Sequence, residues 1–321
     1  MIKLFKGGIV AQIIVVVIVA VVLWLPSFIA PPDMNSISRG SIAYEMLQRW
    51  LSGHPYTATF IAFFSVVGEG LLLNMILYNY KLLSQSSLLP MLLYIVMMST
   101  SGKALTLTPI VVTNLIFILA LPYLLSDANL SITRDDVFMG GTMIGLGMMV
   151  YAPMAWMWIP LLVLFTTYKL YNVHDIIMAL LGFLAPLIPV GFILFCQDTL
   201  AETATALWQD LQGFRLTAEG SVWSWIGSGL MLAVILVAVI KGLEYESEQP
   251  MVVQKCAKTI AAPMLAGLIV LFYAPLLPLN TAIFAISAAF MGTICLLNFK
   301  RKVWVADILL LGIIVIAVVK I

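Results

Sequence analysis

MIKLFKGGIVAQIIVVVIVAVVLWLPSFIA, residues 1–30, decides the fold. Lys3 and Lys6 flank an uncharged apolar run that is too long for the core of a typical cleavable leader, so the run is predicted to remain as a first membrane span. The rest of the chain continues in the same way. Of 321 residues, 63% are hydrophobic and 10% charged, and the mean hydropathy is +1.10. A soluble domain is about half apolar and a quarter charged, so this composition requires a bilayer.

Apolar runs between polar breaks predict an all-α, polytopic transmembrane bundle in a single integral membrane domain, residues 1–321. About eleven spans are expected, near 9–29, 57–79, 88–100, 108–125, 137–151, 152–168, 176–196, 222–243, 259–276, 278–298 and 304–321. The runs at 88–100, 137–151 and 152–168 are shorter than the ~20 residues a straight crossing needs. Such spans are tilted, broken or re-entrant, an arrangement tolerated where protein covers the backbone.

The basic residues set the orientation. With the N-terminus inside, the outer side holds Arg39, Arg49, Lys103, Arg215 and Lys320, while the other eleven of the sixteen Lys and Arg fall on the inner side. That bias is the positive-inside pattern, and an odd number of spans preserves it. The expected orientation therefore has the N-terminus cytoplasmic and residues 30–56 extracytoplasmic.

The first long polar interruption is APPDMNSISRGSIAYEMLQRWLSGHPY, residues 30–56, on the outer side. Ile42, Ala43, Met46, Leu47, Trp50 and Leu51 recur at helical spacing, and Ser41, Glu45, Gln48, Arg49 and Ser52 take the opposite face. A short extracytoplasmic amphipathic helix, bounded by prolines, is predicted to lie along the membrane surface here. A second outer stretch, 197–221, carries Leu200, Ala204, Leu207, Leu211 and Phe214 as a helical stripe that faces the first helix. On the inner side, KGLEYESEQPMVVQKCAK, 241–258, reads as a solvated connector.

Several functional classes are excluded. The basic residues form no cluster beyond KRK at 300–302, which argues against a nucleic-acid partner. Cys196, Cys256 and Cys295 are odd in number and irregularly spaced, so they read as packing residues rather than a disulfide framework or zinc site. No phosphate-binding loop, HExxH, GxSxG or dinucleotide fingerprint occurs, and no cofactor is expected. His54 and His174 fall on opposite predicted sides and cannot share a metal.

Two carboxylates stand out. Asp33 directly follows Pro31 and Pro32 at the outer end of the first span. Its alternatives are a turn or capping residue and a catalytic general base that takes a proton from an acceptor hydroxyl. Arg39, Arg49, Lys103 and Arg215 are on the same side and suit a phosphate leaving group, or equally lipid headgroups. Glu69, in FFSVVGEGLLLNMILY, lies near the middle of the second span between Gly68 and Gly70. An acid at that depth is a functional candidate, or a protonated structural group facing Asn74 or Asn114. Gly141 and Gly145, in FMGGTMIGLGMMVYAP, form a small-xxx-small pair that allows close helix packing.

The order of these features resembles the GT-C class of integral-membrane glycosyltransferases. An inside N-terminus, a first span, an outer loop ending in the acid Asp33, a surface helix at 41–52 and the glycine-rich FMGGTMIGLGMMVYAP carry the likeness. It implies transfer of a sugar from a polyprenyl-phosphate donor on the extracytoplasmic side, in cell-envelope biogenesis. Asp33 would then be catalytic, and the outer basic residues would hold the phosphate. The pattern departs from that class in having a single acid in the first loop until Glu45. The whole chain also looks like an uncharacterised family of multi-pass inner-membrane proteins from Bacteroidota, with the FK start, a GEGLLLN-type second span and a Leu-Thr-Pro before the fourth. That likeness implies the cell inner (cytoplasmic) membrane as the location. The alternative from another class is a non-enzymatic transporter, or a scaffold that joins other membrane subunits.

Overall fold

The computed structural model describes residues 2–5, 7–32, 41–83, 87–100, 105–125, 132–170, 172–212, 235–238, 249–270 and 281–297, with single positions between 240 and 317. Every regular element among them is a helix. After the short α1 (Ile2–Phe5) come α2 (Ile9–Ile29), α3 (Ile42–Leu51), α4 (Pro55–Asn79), α5 (Leu89–Ser99), α6 (Pro109–Leu124) and α7 (Arg134–Val150). A 3₁₀ segment, Ala152–Met157, leads into α8 (Trp158–Tyr168), followed by α9 (Val173–Cys196), α10 (Leu200–Gln212), α11 (Met251–Ala261), α12 (Pro263–Val270) and α13 (Ala285–Leu297).

Four runs are long and apolar enough to cross a membrane: α2, α4, α9 and the α11–α12 pair, of 20 to 25 residues. At 1.5 Å per residue they reach about 30–38 Å, which matches the ~30 Å hydrocarbon core. Val10, Ile14, Ile18 and Ile29 on α2 and Ile188, Phe192 and Phe195 on α9 are exposed. In water they would form apolar patches of a size that soluble monomers avoid; in a bilayer they are ordinary lipid contacts.

Two of the shorter apolar helices, α5 and α13, are covered on every side. All eleven residues of α5 are buried, enclosed by α2, α4 and α13. An 11-residue helix spans only about 17 Å, and burial on every side is what lets it end at membrane depth.

α7 and α9 form the tightest pair, and glycine is the reason. A Cβ on Gly141 would collide with the Ala179 carbonyl oxygen, and one on Gly182 with the Phe138 carbonyl oxygen. A Cβ on Gly145 would meet the Phe183 carbonyl oxygen and, at 2.8 Å, Pro186 Cγ. Backbone therefore lies on backbone along two turns, as the small-xxx-small spacing predicts. Trp158 packs edge-on against Phe183, with ring centroids 5.5 Å apart. The start of α7 is fixed by a capping box in which the Thr133 N–H donates to Asp136 Oδ2 at 2.8 Å. Beside it, Arg134 pairs with the buried Asp175 of α9 at 3.6 Å.

Contacts between helix ends sort the chain into two levels. At the level of the N-terminus, Gln12 Nε2 donates to the Phe5 and Gly7 carbonyls, at 3.2 and 3.0 Å, while its Oε1 accepts the Leu88 N–H at 2.8 Å. Tyr80 there donates to Pro122 O at 3.0 Å, and Lys255 Nζ lies 5.2 Å from the Tyr168 ring centroid. At the opposite level the Ser41 N–H donates to Val150 O at 2.9 Å, and Tyr44 donates to Leu107 O at 2.7 Å.

Two readings change in detail. The connector 241–258 turns helical from Met251: Cys256 and Ala257 are buried on its apolar side, so amphipathic spacing outweighs its polar content. Cys256 and Cys295 are buried packing residues as expected, but Cys196 is exposed at the end of α9.

Candidate functional site

Glu69 sits fifteen residues into α4, with no exposed surface. Neighbouring Gly70 lets α5 approach, since a Cβ there would come within 3.1 Å of Met91 Cγ. That approach brings Tyr94 to the acid. Its phenol donates to Glu69 Oε2 at 2.5 Å, and the Asn114 amide of α6 lies beside the phenol. Asn114 Nδ2 donates to Ala282 O at 3.1 Å and to Met98 Sδ at 3.2 Å. Glu69 of α4, Tyr94 of α5 and Asn114 of α6 thus gather as a polar group in the core. Glu69 Oε1 has no partner in it, and among the described residues no Lys or Arg pairs with the acid.

The sequence anticipates Asn114 as a neighbour of this site, but as a direct partner of Glu69 rather than through Tyr94. The other expected neighbour, Asn74, lies elsewhere, lining a cleft at the N-terminal level. Tyr94 is missed because it stands in a uniformly apolar run. The available signal is that it is the only residue of LPMLLYIVMMS able both to sit deep in the apolar run and to donate from a long side chain.

At the opposite level an apolar cleft of about 170 Å³ opens between α3, α7, α9 and α10. Ile42, Met148, Met149, Leu187, Leu194 and Leu207 line it. A cavity of ~150 Å³ admits one benzene-sized ligand, so this cleft takes a short stretch of an apolar chain. Both amphipathic stretches contribute to its lining, Ile42 from α3 and Leu200, Ala204 and Leu207 from α10. On α3, Tyr44 and Leu51 are buried against the bundle, whereas Met46 and Trp50 project outward, 69% and 74% exposed.

Of the residues expected at the phosphate, Arg49 is described. It is exposed and pairs with Glu45 one turn away at 3.8 Å, a link that contributes little to stability. Asp33, Arg39, Lys103 and Arg215 lie outside the described residues. Among the described residues, no three His, Cys, Asp or Glu side chains gather into a metal-sized group. Set against family models, curated proteins and solved structures, the chain matches none of them.

Proposed function

We propose that the chain is an eleven-span inner-membrane protein, N-terminus inside, that transfers a sugar or similar group from a polyprenyl-phosphate donor on the outer side during envelope assembly. The observation that carries this reading is the cleft. It is apolar, it lies at the level of α3 and α10, and Met46 and Trp50 on α3 project as residues of an interfacial helix do. A prenyl chain would enter between α9 and α10, leaving its phosphate at the polar level above. The described neighbours of the expected site residues support that arrangement: Ser41, which follows Asp33 and Arg39, is tied to α7, and Leu107, just beyond Lys103, is tied to α3. In this reading Asp33 takes the proton from the acceptor hydroxyl, and Arg39, Arg49, Lys103 and Arg215 stabilise the departing phosphate.

The test is photo-crosslinking of a diazirine-bearing polyprenyl phosphate to the protein in nanodiscs. Labelled peptides from α9 and α10 are expected, reduced in Gly191→Leu; Gly191 lines the cleft and has no atom within 4 Å of a Cβ position. Labelling spread evenly over lipid-facing helices would end the proposal. Orientation is checked separately. Cys196, exposed at the α10 level, should react with an impermeant maleimide in intact spheroplasts, and reaction only after permeabilisation would invert the topology.

A carrier reading has one observation in its favour, the buried Glu69 with a free oxygen. It predicts proton-dependent solute movement rather than transfer.

A further inference from the structure

We propose that Glu69, Tyr94 and Asn114 form an intramembrane proton-binding site that exchanges through the cleft of Gln12, Asn74, Tyr78 and Ser87. The proposal is independent of the donor-transfer reading and rests on different atoms.

Three observations combine. Glu69 and Tyr94 are fully buried and Asn114 is 1% exposed, so whatever neutralises the carboxylate must come from within. The hydrogen bonds engage one carboxylate oxygen: the Tyr94 hydroxyl is spent on Oε2, and the two amide N–H groups of Asn114 go to Ala282 and Met98. Oε1 is left with no partner among the described residues. A buried unmatched carboxyl oxygen is destabilising, and an ionised one without a cation is far more so. The occupant must therefore be positive and must be satisfied by a single oxygen. A proton meets that requirement. A hard metal cation does not, because it seeks about six oxygen ligands.

Among the described residues, groups on the elements packed against α4 supply no alternative. α5 brings Tyr94 and α6 brings Asn114, while α2 contains no titratable side chain. α3 brings Tyr44, bound to Leu107, and the exposed Glu45–Arg49 pair at the far level.

A route to Oε1 is suggested by the second unpartnered oxygen on the same helix. Asn74 Oδ1 has no partner, and Asn74 lines an open cleft of about 290 Å³ with Gln12, Tyr78 and Ser87. Five residues separate it from Glu69, ~7.5 Å along the axis and ~140° around it, so the path turns around α4 from the cleft to the acid. A proton from water in the cleft adds to the Oε1 lone pair, converting the carboxylate to a neutral acid. Release returns it to water by the same path.

Infrared difference spectroscopy of the nanodisc-embedded protein tests this. The carbonyl stretch of a protonated carboxylic acid is expected in the wild type, shifting on transfer to D₂O and lost in Glu69→Gln. Tyr94→Phe, which keeps the acid, should move the band to higher frequency, so the assignment survives even if Glu69→Gln misfolds. Asn74→Leu should leave the band in place and slow its D₂O shift several-fold. A band unaffected by Tyr94→Phe, or an ionised carboxylate that responds to Na⁺ at neutral pH, would overturn the site. An unchanged exchange rate in Asn74→Leu would overturn the route.

Discussion

Asp33→Asn should reduce group transfer by about 10²- to 10⁴-fold, the usual loss when a general base is removed. The substitution keeps the size of the side chain and much of its hydrogen bonding, but it deletes the proton acceptor. The sequence pattern puts Asp33 in a polar loop after the first span. A loop substitution away from caps and core changes stability by less than ~0.5 kcal/mol, so with that placement the variant should accumulate in membranes at the wild-type level. In a deletion strain it should fail to restore envelope glycan. Full restoration would remove Asp33 from the chemistry, and low accumulation would instead identify a turn or capping role.

The largest structural effect is expected at Gly182. Its missing Cβ is what admits the Phe138 carbonyl oxygen of α7, so Gly182→Val puts side-chain carbon where backbone already lies. Overpacking that rotamer changes can absorb costs ~1–3 kcal/mol. Here the obstacle is backbone, so α7 and α9 must separate and the cost should exceed that range. Separation would also strain the Arg134–Asp175 pair, at 3.6 Å, and the Trp158–Phe183 contact. The expected readout is loss of accumulation and of thermal stability. Gly191→Leu on the same α9 faces open space and should accumulate normally. Equal behaviour of the two variants would contradict the packing account.

The membrane-spanning class of the helices follows from composition and run length, because a bilayer imposes those on any sequence. The expected run 57–79 agrees closely with α4, Pro55–Asn79, and 41–52 with α3, Ile42–Leu51. α7 begins at Arg134 rather than near 137 because the Thr133–Asp136 box caps it while polar residues still dominate its first turn. The break between α11 and α12 falls at Pro263, inside a run that hydropathy reads as continuous. Glu69 is legible because an acid among apolar residues is costly wherever its span packs. Its partner is not, since which face of α5 meets α4 depends on Gly70 and Met91 coming together in space. The apolar cleft is likewise a property of four helices, and only the stripe on α10 hints at it in sequence.

The most direct measurement is transfer by the purified protein in proteoliposomes. A radiolabelled sugar on polyprenyl phosphate would be supplied in the outer leaflet, and product counted with wild type and with Asp33→Asn. Donor-dependent product from the wild type, reduced at least about a hundredfold in Asp33→Asn, is the predicted result. Contradiction would be donor left intact by the wild type under every acceptor-containing membrane extract, or equal turnover by the two proteins.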